Sequence, residues 1–239
     1  MIKQHKIYFN SKDRITGTST NLNYKLATTI PNVLSMSITD VRMPITYYNV
    51  NNKNNTMKVI QGTTTHNIVI ENKNYSASAL GTTLKTQLDS GIILSAPHSV
   101  NYDSNTGKFT IVSSTNISIL EGGLARFIGF TKNTTTGLSH TSDVMGNFAP
   151  SPSYIMTDLG TNTELNGQLL NIVYTISGNV SFGSIMYDNE KNVQPIELLK
   201  KKNIGHLKFS LVDGDGDVID NNGVDYSMII TLYYIENDK

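Results

Sequence analysis

Cysteine and tryptophan are absent from the 239 residues, and neither sign of charge is in excess. Without cysteine there are no disulfides and no thiolate metal sites, which suits assembly in a reducing compartment. Without tryptophan, and with aromatics at 8%, a sugar-stacking platform has little to be built from. Nineteen basic side chains against nineteen acidic ones leave a net charge of zero. That argues against a protein that coats nucleic acid, because phosphate binding depends on massed Lys and Arg. No segment approaches the ~20 apolar residues of a membrane span. The start, MIKQHKIYFNSKDR, has no apolar run of signal-peptide length. The expectation is a soluble chain, intracellular when made, with the sequons at Asn54, Asn74, Asn116, Asn133 and Asn179 unused.

What is present is Asn, Ser, Thr and Gly, since hydrophobic residues at 38% and charged residues at 16% are both low for a globular chain. That surplus points to many turns and to strands with polar outer faces. A chain of this length buries roughly 70–75% of the surface its unfolded form exposes, so its core needs no staple. Apolar and polar residues alternate from Leu207 to Val212. Asp213-Gly214-Asp215-Gly216 then supplies the chemistry that lets a strand reverse. A second run, Asp225 to Tyr234, is rich in β-branched and aromatic residues. Similar alternation marks Ile7 to Phe9, Leu22 to Leu26 and Val33 to Met43, and further strands are expected at Tyr154–Leu159, Leu169–Ile176 and Val180–Tyr187. These give about eight strands, enough for two sheets face to face in a sandwich or jelly roll. Pro195 to Lys200 is expected to form a brief helical turn.

Residues 57–131 have another character. Met57–Ile60, Asn67–Ile70, a hairpin from Val100 to Val112, and Ile117–Leu120 read as strands. Ser76 is a good N-cap for a helix with Ala77, Leu80, Leu84 and Leu88 on one face, ended by Gly91, and Leu124 to Phe130 resembles a short helical plug. The pattern predicts an inserted α+β domain at 57–131, flanked by residues 1–56 and 132–239 of a mainly β sandwich, with residues 1–14 as a basic N-terminal arm.

No constellation for catalysis emerges. The Asp213-Gly-Asp215-Gly-Asp217 run suggests a calcium loop, yet Val218 and Val224 stand where an EF-hand needs Gly and Glu, so a structural turn is expected. The histidines (His5, His66, His98, His140, His206) are scattered, which also weakens a cupin-type enzyme. Phosphate-loop, dinucleotide and nucleophile-elbow motifs are missing. Glu121-Gly122-Gly123 reads as a turn, and Lys200-Lys201-Lys202 as a solvated face. No cofactor and no metal are expected.

Three stretches resemble one viral capsid family. They are Ile7-Tyr8-Phe9-Asn10-Ser11-Lys12-Asp13-Arg14 with Gly17-Thr18-Ser19, continuing through Ile38-Thr39-Asp40-Val41-Arg42-Met43-Pro44 to Tyr47-Tyr48-Asn49; the middle around Asn74-Tyr75-Ser76, Leu80 to Leu88, Tyr102 to Phe109 and Ile128-Gly129-Phe130; and Phe209-Ser210-Leu211-Val212-Asp213 with Ile219-Asp220-Asn221-Asn222-Gly223 and Tyr226. Together they are similar to the penton, or minor capsid, proteins of virophages, polinton-like viruses and nucleocytoplasmic large DNA viruses. The sequence departs from that pattern at Asn221, where the family carries an apolar residue. The resemblance implies a single jelly-roll β-sandwich with an inserted α+β module. It also implies a homopentamer at icosahedral vertices beside a double jelly-roll major capsid protein, in a virion made in the host cell cytoplasm, with no catalytic residues. A host receptor is a further possible partner, and a receptor- or carbohydrate-binding spike head is the alternative function. The basic arm and the Asp-rich loop carry opposite signs, so Lys3, His5, Lys6, Lys12, Arg14, Asp213, Asp215 and Asp217 are the candidate subunit-interface residues. On that expectation, deleting residues 1–14 abolishes pentamers and leaves a folded monomer.

Overall fold

The computed structural model describes residues 1–90, 97–148, 152–161, 163–177, 180–189 and 194–236. It forms two compact units: Met1–Tyr47 with Pro150–Lys239, and Tyr48–Ala149. In chain order the strands are β1 (Ile2–Asn10), β2 (Thr16–Gly17), β3 (Asn21–Pro44), β4 (Thr56–Gln61), β5 (Thr64–Val69), β6 (His98–Asp103), β7 (Lys108–Leu120) and β8 (Gly137–Thr141). They continue with β9 (Ser153–Thr157), β10 (Glu164–Leu165), β11 (Gln168–Leu169), β12 (Ile172–Ile176), β13 (Ile185–Asp188), β14 (Ile196–Val212) and β15 (Ser227–Ile235). A 3-10 turn spans Ser11–Asp13, and the helices among the described residues are α1 (Ala77–Leu88) and α2 (Gly123–Phe127).

The larger unit is a jelly-roll sandwich whose two layers share strand β3. One layer runs β1-β15-β3-β13, with Ile7, Ile230 and Ile38 in one cross-strand row. The other runs β3-β14-β9-β12, with β2 on the outer side of β3. β3 serves both layers because it is 24 residues long and breaks register near its middle. Asn32 (φ 45°) and Asp40 (φ 50°) take the left-handed conformation, which these two residue types tolerate best, at the places where the strand bends.

Side-chain alternation puts one face of each layer inside. Ile7 and Phe9 are buried while Tyr8 between them is 74% exposed. Across the layers, Phe9 meets Phe209 edge-on at 5.3 Å and packs against Tyr24 and Tyr226 at 5.2 and 5.7 Å. Such contacts add roughly 0.5–1.5 kcal/mol each beyond the burial of their area.

Several expectations are corrected. Residues 2–10 are no projecting arm: they pair residue by residue with β15, from Ile2 opposite Ile235 to Asn10 opposite Ser227. Their basic character marked them as an arm, but the buried Ile7 and Phe9 fix them to the core. β14 and β15 do not pair with each other, because β3 lies between them and the turn carries the chain from one layer to the other. Alternation decides which face is buried, not which strand is the neighbour. Residues 196–200 open β14 instead of a helical turn, with Ile196 opposite Met36. The strand expected at Val180–Tyr187 is confined to Ile185–Asp188. Gly91, expected to end the helix, lies outside the described residues.

The smaller unit has a sheet in the order β5-β4-β7-β6, with β8 also on β7, and α1 and α2 packed on it. Its separate core joins Leu80, Leu84 and Leu88 of α1 to Met57, Val59, Phe109 and Ile111 of the sheet. Ser76 caps α1 by accepting a hydrogen bond from Ala79 N at 3.2 Å. The unit reaches beyond the expected limits of 57 and 131 because both flanking polar stretches are bonded into it. Val50 pairs with Lys73, and β8 pairs with β7 through Ile111 and His140.

At the end of α1, Asp89 accepts from Lys85 Nζ (2.6 Å), from His98 N (2.8 Å) and contacts His98 Nδ1 (2.9 Å). The Lys85 hydrogen bond, with smaller help from His98, holds its carboxyl down to about 2. A depressed carboxyl stabilises the fold above its unfolded value and loses that contribution as pH falls toward 2. Asp89→Asn is therefore expected to flatten the acid limb of this unit's stability profile between pH 4 and 2, about the span from the unfolded to the folded value. Thermal melting across that range checks it.

A candidate assembly surface

Both ends of the sequence that carry the family resemblance meet at one end of the larger unit. Asn10, extended at φ −135°, accepts from Lys12 N and so starts the 3-10 turn that brings Ser11 inward. Ser11 is fully buried. Its hydroxyl donates to Asp225 Oδ1 at 2.7 Å and accepts from Tyr226 N at 3.0 Å, while Ser11 N donates to Tyr226 O at 2.9 Å. Arg14 Nη1 donates to the same Asp225 oxygen and to Ser11 O, both at 2.9 Å. The Ser-x-x-Arg of one loop thus grips the Asp-Tyr of the other. Tyr226 behind them is fully enclosed, its hydroxyl finds no partner among the described residues, and burial pushes its phenol well up.

Two further locks hold this end. Gly17 sits at φ +95°, and a Cβ there would come within 2.1 Å of Asn21 O, so only glycine lets the loop close onto β3. Gly17→Ala is expected to cost roughly 1–2 kcal/mol, measured as a fall in the melting temperature of the larger unit. Asn221, where the sequence resemblance leads one to expect an apolar residue, is fully buried. It accepts from Thr46 N (3.3 Å) and Thr46 Oγ1 (2.7 Å), and its Nδ2 donates to Val224 O (3.1 Å). An amide is tolerated at this buried position because every polar atom of it is used.

The candidate interface residues are placed unevenly. Lys3 is paired with Glu236 of the same chain, and that carboxylate raises its pKa. His5 is half-buried opposite Leu232, and Lys6 and Lys12 are exposed. Arg14 is committed to Asp225, a residue missing from the candidate set although it stands next to Tyr226 of the resembling stretch. Asp213 Oδ1 accepts from Asp215 N and Asp217 N, both at 3.0 Å, and Asp213 N donates to Asp217 O. The Asp-Gly-Asp-Gly-Asp run is a turn stabilised by its own first carboxylate. The structure brings Arg14 and the 213–225 loop together within the chain, and leaves Lys3, His5 and Lys6 along the free edge of β1.

An open cleft of ≈ 500 Å³ lies here, lined by Arg14, Gly17, Thr18, Val218, Asp220 and Gly223. Among the described residues no three His, Asp or Glu side chains converge on a metal position, and no helix is long and apolar enough to cross a membrane. His140 and His98 belong to the smaller unit, the first against Gly137 O at 3.0 Å and the second against Asp89. The geometry holds loops and presents surfaces.

No family model matches the chain, and no curated protein matches it. Solved structures do. The crystal structure of the mavirus penton protein aligns with 98% of this chain and 100% of its own, at a TM-score of 0.50 and 10% identity. A chain of the Sputnik virophage particle aligns over 98% of both chains, at a TM-score of 0.46 and 14% identity. The mavirus likeness establishes a shared fold, and that fold is the jelly-roll β-sandwich the sequence resemblance implied.

Proposed function

We propose that this chain is a structural capsid protein that forms homopentamers at the vertices of an icosahedral virion and performs no catalysis. The observation that carries the reading is the shared fold with the mavirus penton protein along the length of both chains. The order of the sequence motifs supports it independently. So does the use of the polar side chains at the Ser11–Asp225 end, which tie loops together instead of converging on a reacting centre. In this reading the pentamer is set among trimers of a double jelly-roll major capsid protein. The protein is made in the host cytoplasm and resides in the virion.

Light scattering on the purified full-length chain tests it. A mass of five chains, with five-fold rings in negative stain, is the expected result. A trimer favours a receptor-binding spike head, and a stable monomer or dimer overturns the vertex assignment.

A further inference from the structure

The outer face of the β14 layer is basic. Lys208 alternates with the buried Leu207 and Phe209 and so points outward, and Lys25 lies opposite the exposed His206. Lys200, Lys201 and Lys202 are exposed further along the same strand, where neighbouring side chains point to opposite sides, so they extend the charge along β14 and around its edge. Two carboxylates temper it: Asp158, which accepts from Lys208 N at 3.3 Å, and the exposed Glu197. None of the six basic positions alternates with an exposed aromatic on β14, so the face offers no stacking platform for nucleic-acid bases.

Because the net charge is zero, a face this basic is balanced elsewhere in the same chain. Four of the nineteen acidic residues, Asp213, Asp215, Asp217 and Asp220, are gathered five residues further along, at positions 213–220, which hold no basic residue. The N-terminal cations are poor counterparts for that turn in a neighbour, since Lys3 is paired with Glu236 and Arg14 with Asp225.

We infer that the lysine face of β14 is an interaction surface for a second copy of this chain, which docks through its Asp-rich 213–220 turn. The two surfaces differ, so the contact is head-to-tail, and such contacts generate closed rings when the rotation permits. Opposite charge steers and registers the copies and leaves the contact sensitive to salt. The inference rests on the proposed homo-oligomer and adds which surfaces meet in it.

The test uses the full chain and three variants: Lys200→Glu/Lys201→Glu/Lys202→Glu, Asp215→Lys/Asp217→Lys, and all five changes together. Self-association is followed by light scattering and sedimentation at low and high salt, with thermal melting to establish that each variant is folded. Each one-sided reversal is expected to raise the concentration needed for assembly by about ten-fold or more, and the combined swap to restore it, as charge complementarity requires. High salt is expected to weaken the wild-type assembly. Folded one-sided variants that assemble like the wild type overturn the pairing while leaving the oligomer standing, as does a combined swap that fails to rescue. If the wild type binds double-stranded DNA through these lysines while its self-association ignores them, the face belongs to nucleic acid and the inference falls. A wild type that never self-associates removes the oligomer and the pairing together.

Discussion

Removing residues 1–10 is expected to unfold the larger unit, instead of leaving a folded chain that has lost only its contacts with neighbours. All nine residues of β1 are in register with β15, and the strand delivers Ile7 and Phe9 to the core. Phe9 touches three further aromatic rings, from β3, β14 and the residue before β15. Truncating one buried Phe to Ala costs about 3–5 kcal/mol, and a whole domain is stable by only about 5–15. Loss of the strand takes Phe9, Ile7 and the ladder together and exposes the hydrogen-bonding edge of β15. The expected readout is two-part. Near-ultraviolet circular dichroism and hydrogen-exchange protection collapse for the larger unit, while the smaller unit, with its own core, keeps its melting transition. Phe9→Ala in the intact chain is the milder form, expected to lower stability by about 3–5 kcal/mol. A truncated chain that still melts cooperatively at the wild-type temperature would contradict the placement of β1.

Asn221→Leu, which places here the apolar type that the sequence resemblance leads one to expect, is expected to destabilise the protein by roughly 2–4 kcal/mol. Leucine nearly matches asparagine in size but abandons Thr46 N and Val224 O, and each orphaned buried polar group costs roughly 1–3 kcal/mol. The Thr46 hydroxyl keeps a bond to the backbone oxygen of residue 221, at 2.7 Å, so it is not stranded. Thr46→Val removes the shorter of the two donors to the Asn221 side chain, the hydroxyl, and leaves the backbone N–H. The double variant is therefore expected to be more stable than the sum of the single losses predicts, because removing both partners of a buried bond costs less than removing one. Urea denaturation of the four proteins in the cycle measures this, and strict additivity would mean that Asn221 and Thr46 are not coupled.

Most of the architecture was legible in the sequence because it follows from alternation. Ile7-Tyr8-Phe9 and Leu207 to Val212 identify strands and their buried faces, and the Leu80, Leu84, Leu88 spacing identifies α1 and its inner side. What alternation does not encode is strand adjacency. Nothing local in Val212 or Ser227 indicates that β3 stands between their strands. The domain limits were misplaced for a related reason. Asn49–Thr56 and Thr131–Asp143 are polar enough to read as loops, but Val50 and His140 each pair with a distant residue. At the candidate surface the motifs were visible and their geometry was not. Lys3, Lys6 and Lys12 stand out in the sequence by their charge alone. Ser11, Asp225, Tyr226 and Asn221, which organise the loops, carry no charge pattern that singles them out, since their partners lie between 175 and 215 residues away.

The pairing of Ile2 with Ile235 also governs when the protein can become itself. During synthesis the smaller unit has all its strands and helices once residue 149 has emerged, so it is free to form while translation continues. The sandwich is not, because β1 must wait for β15 with its hydrophobic side bare, and closing such long-range contacts is slow. Copies made side by side on one messenger would hold unfinished edges near each other, so completion is the step at which a chaperone or a low local concentration has most to offer.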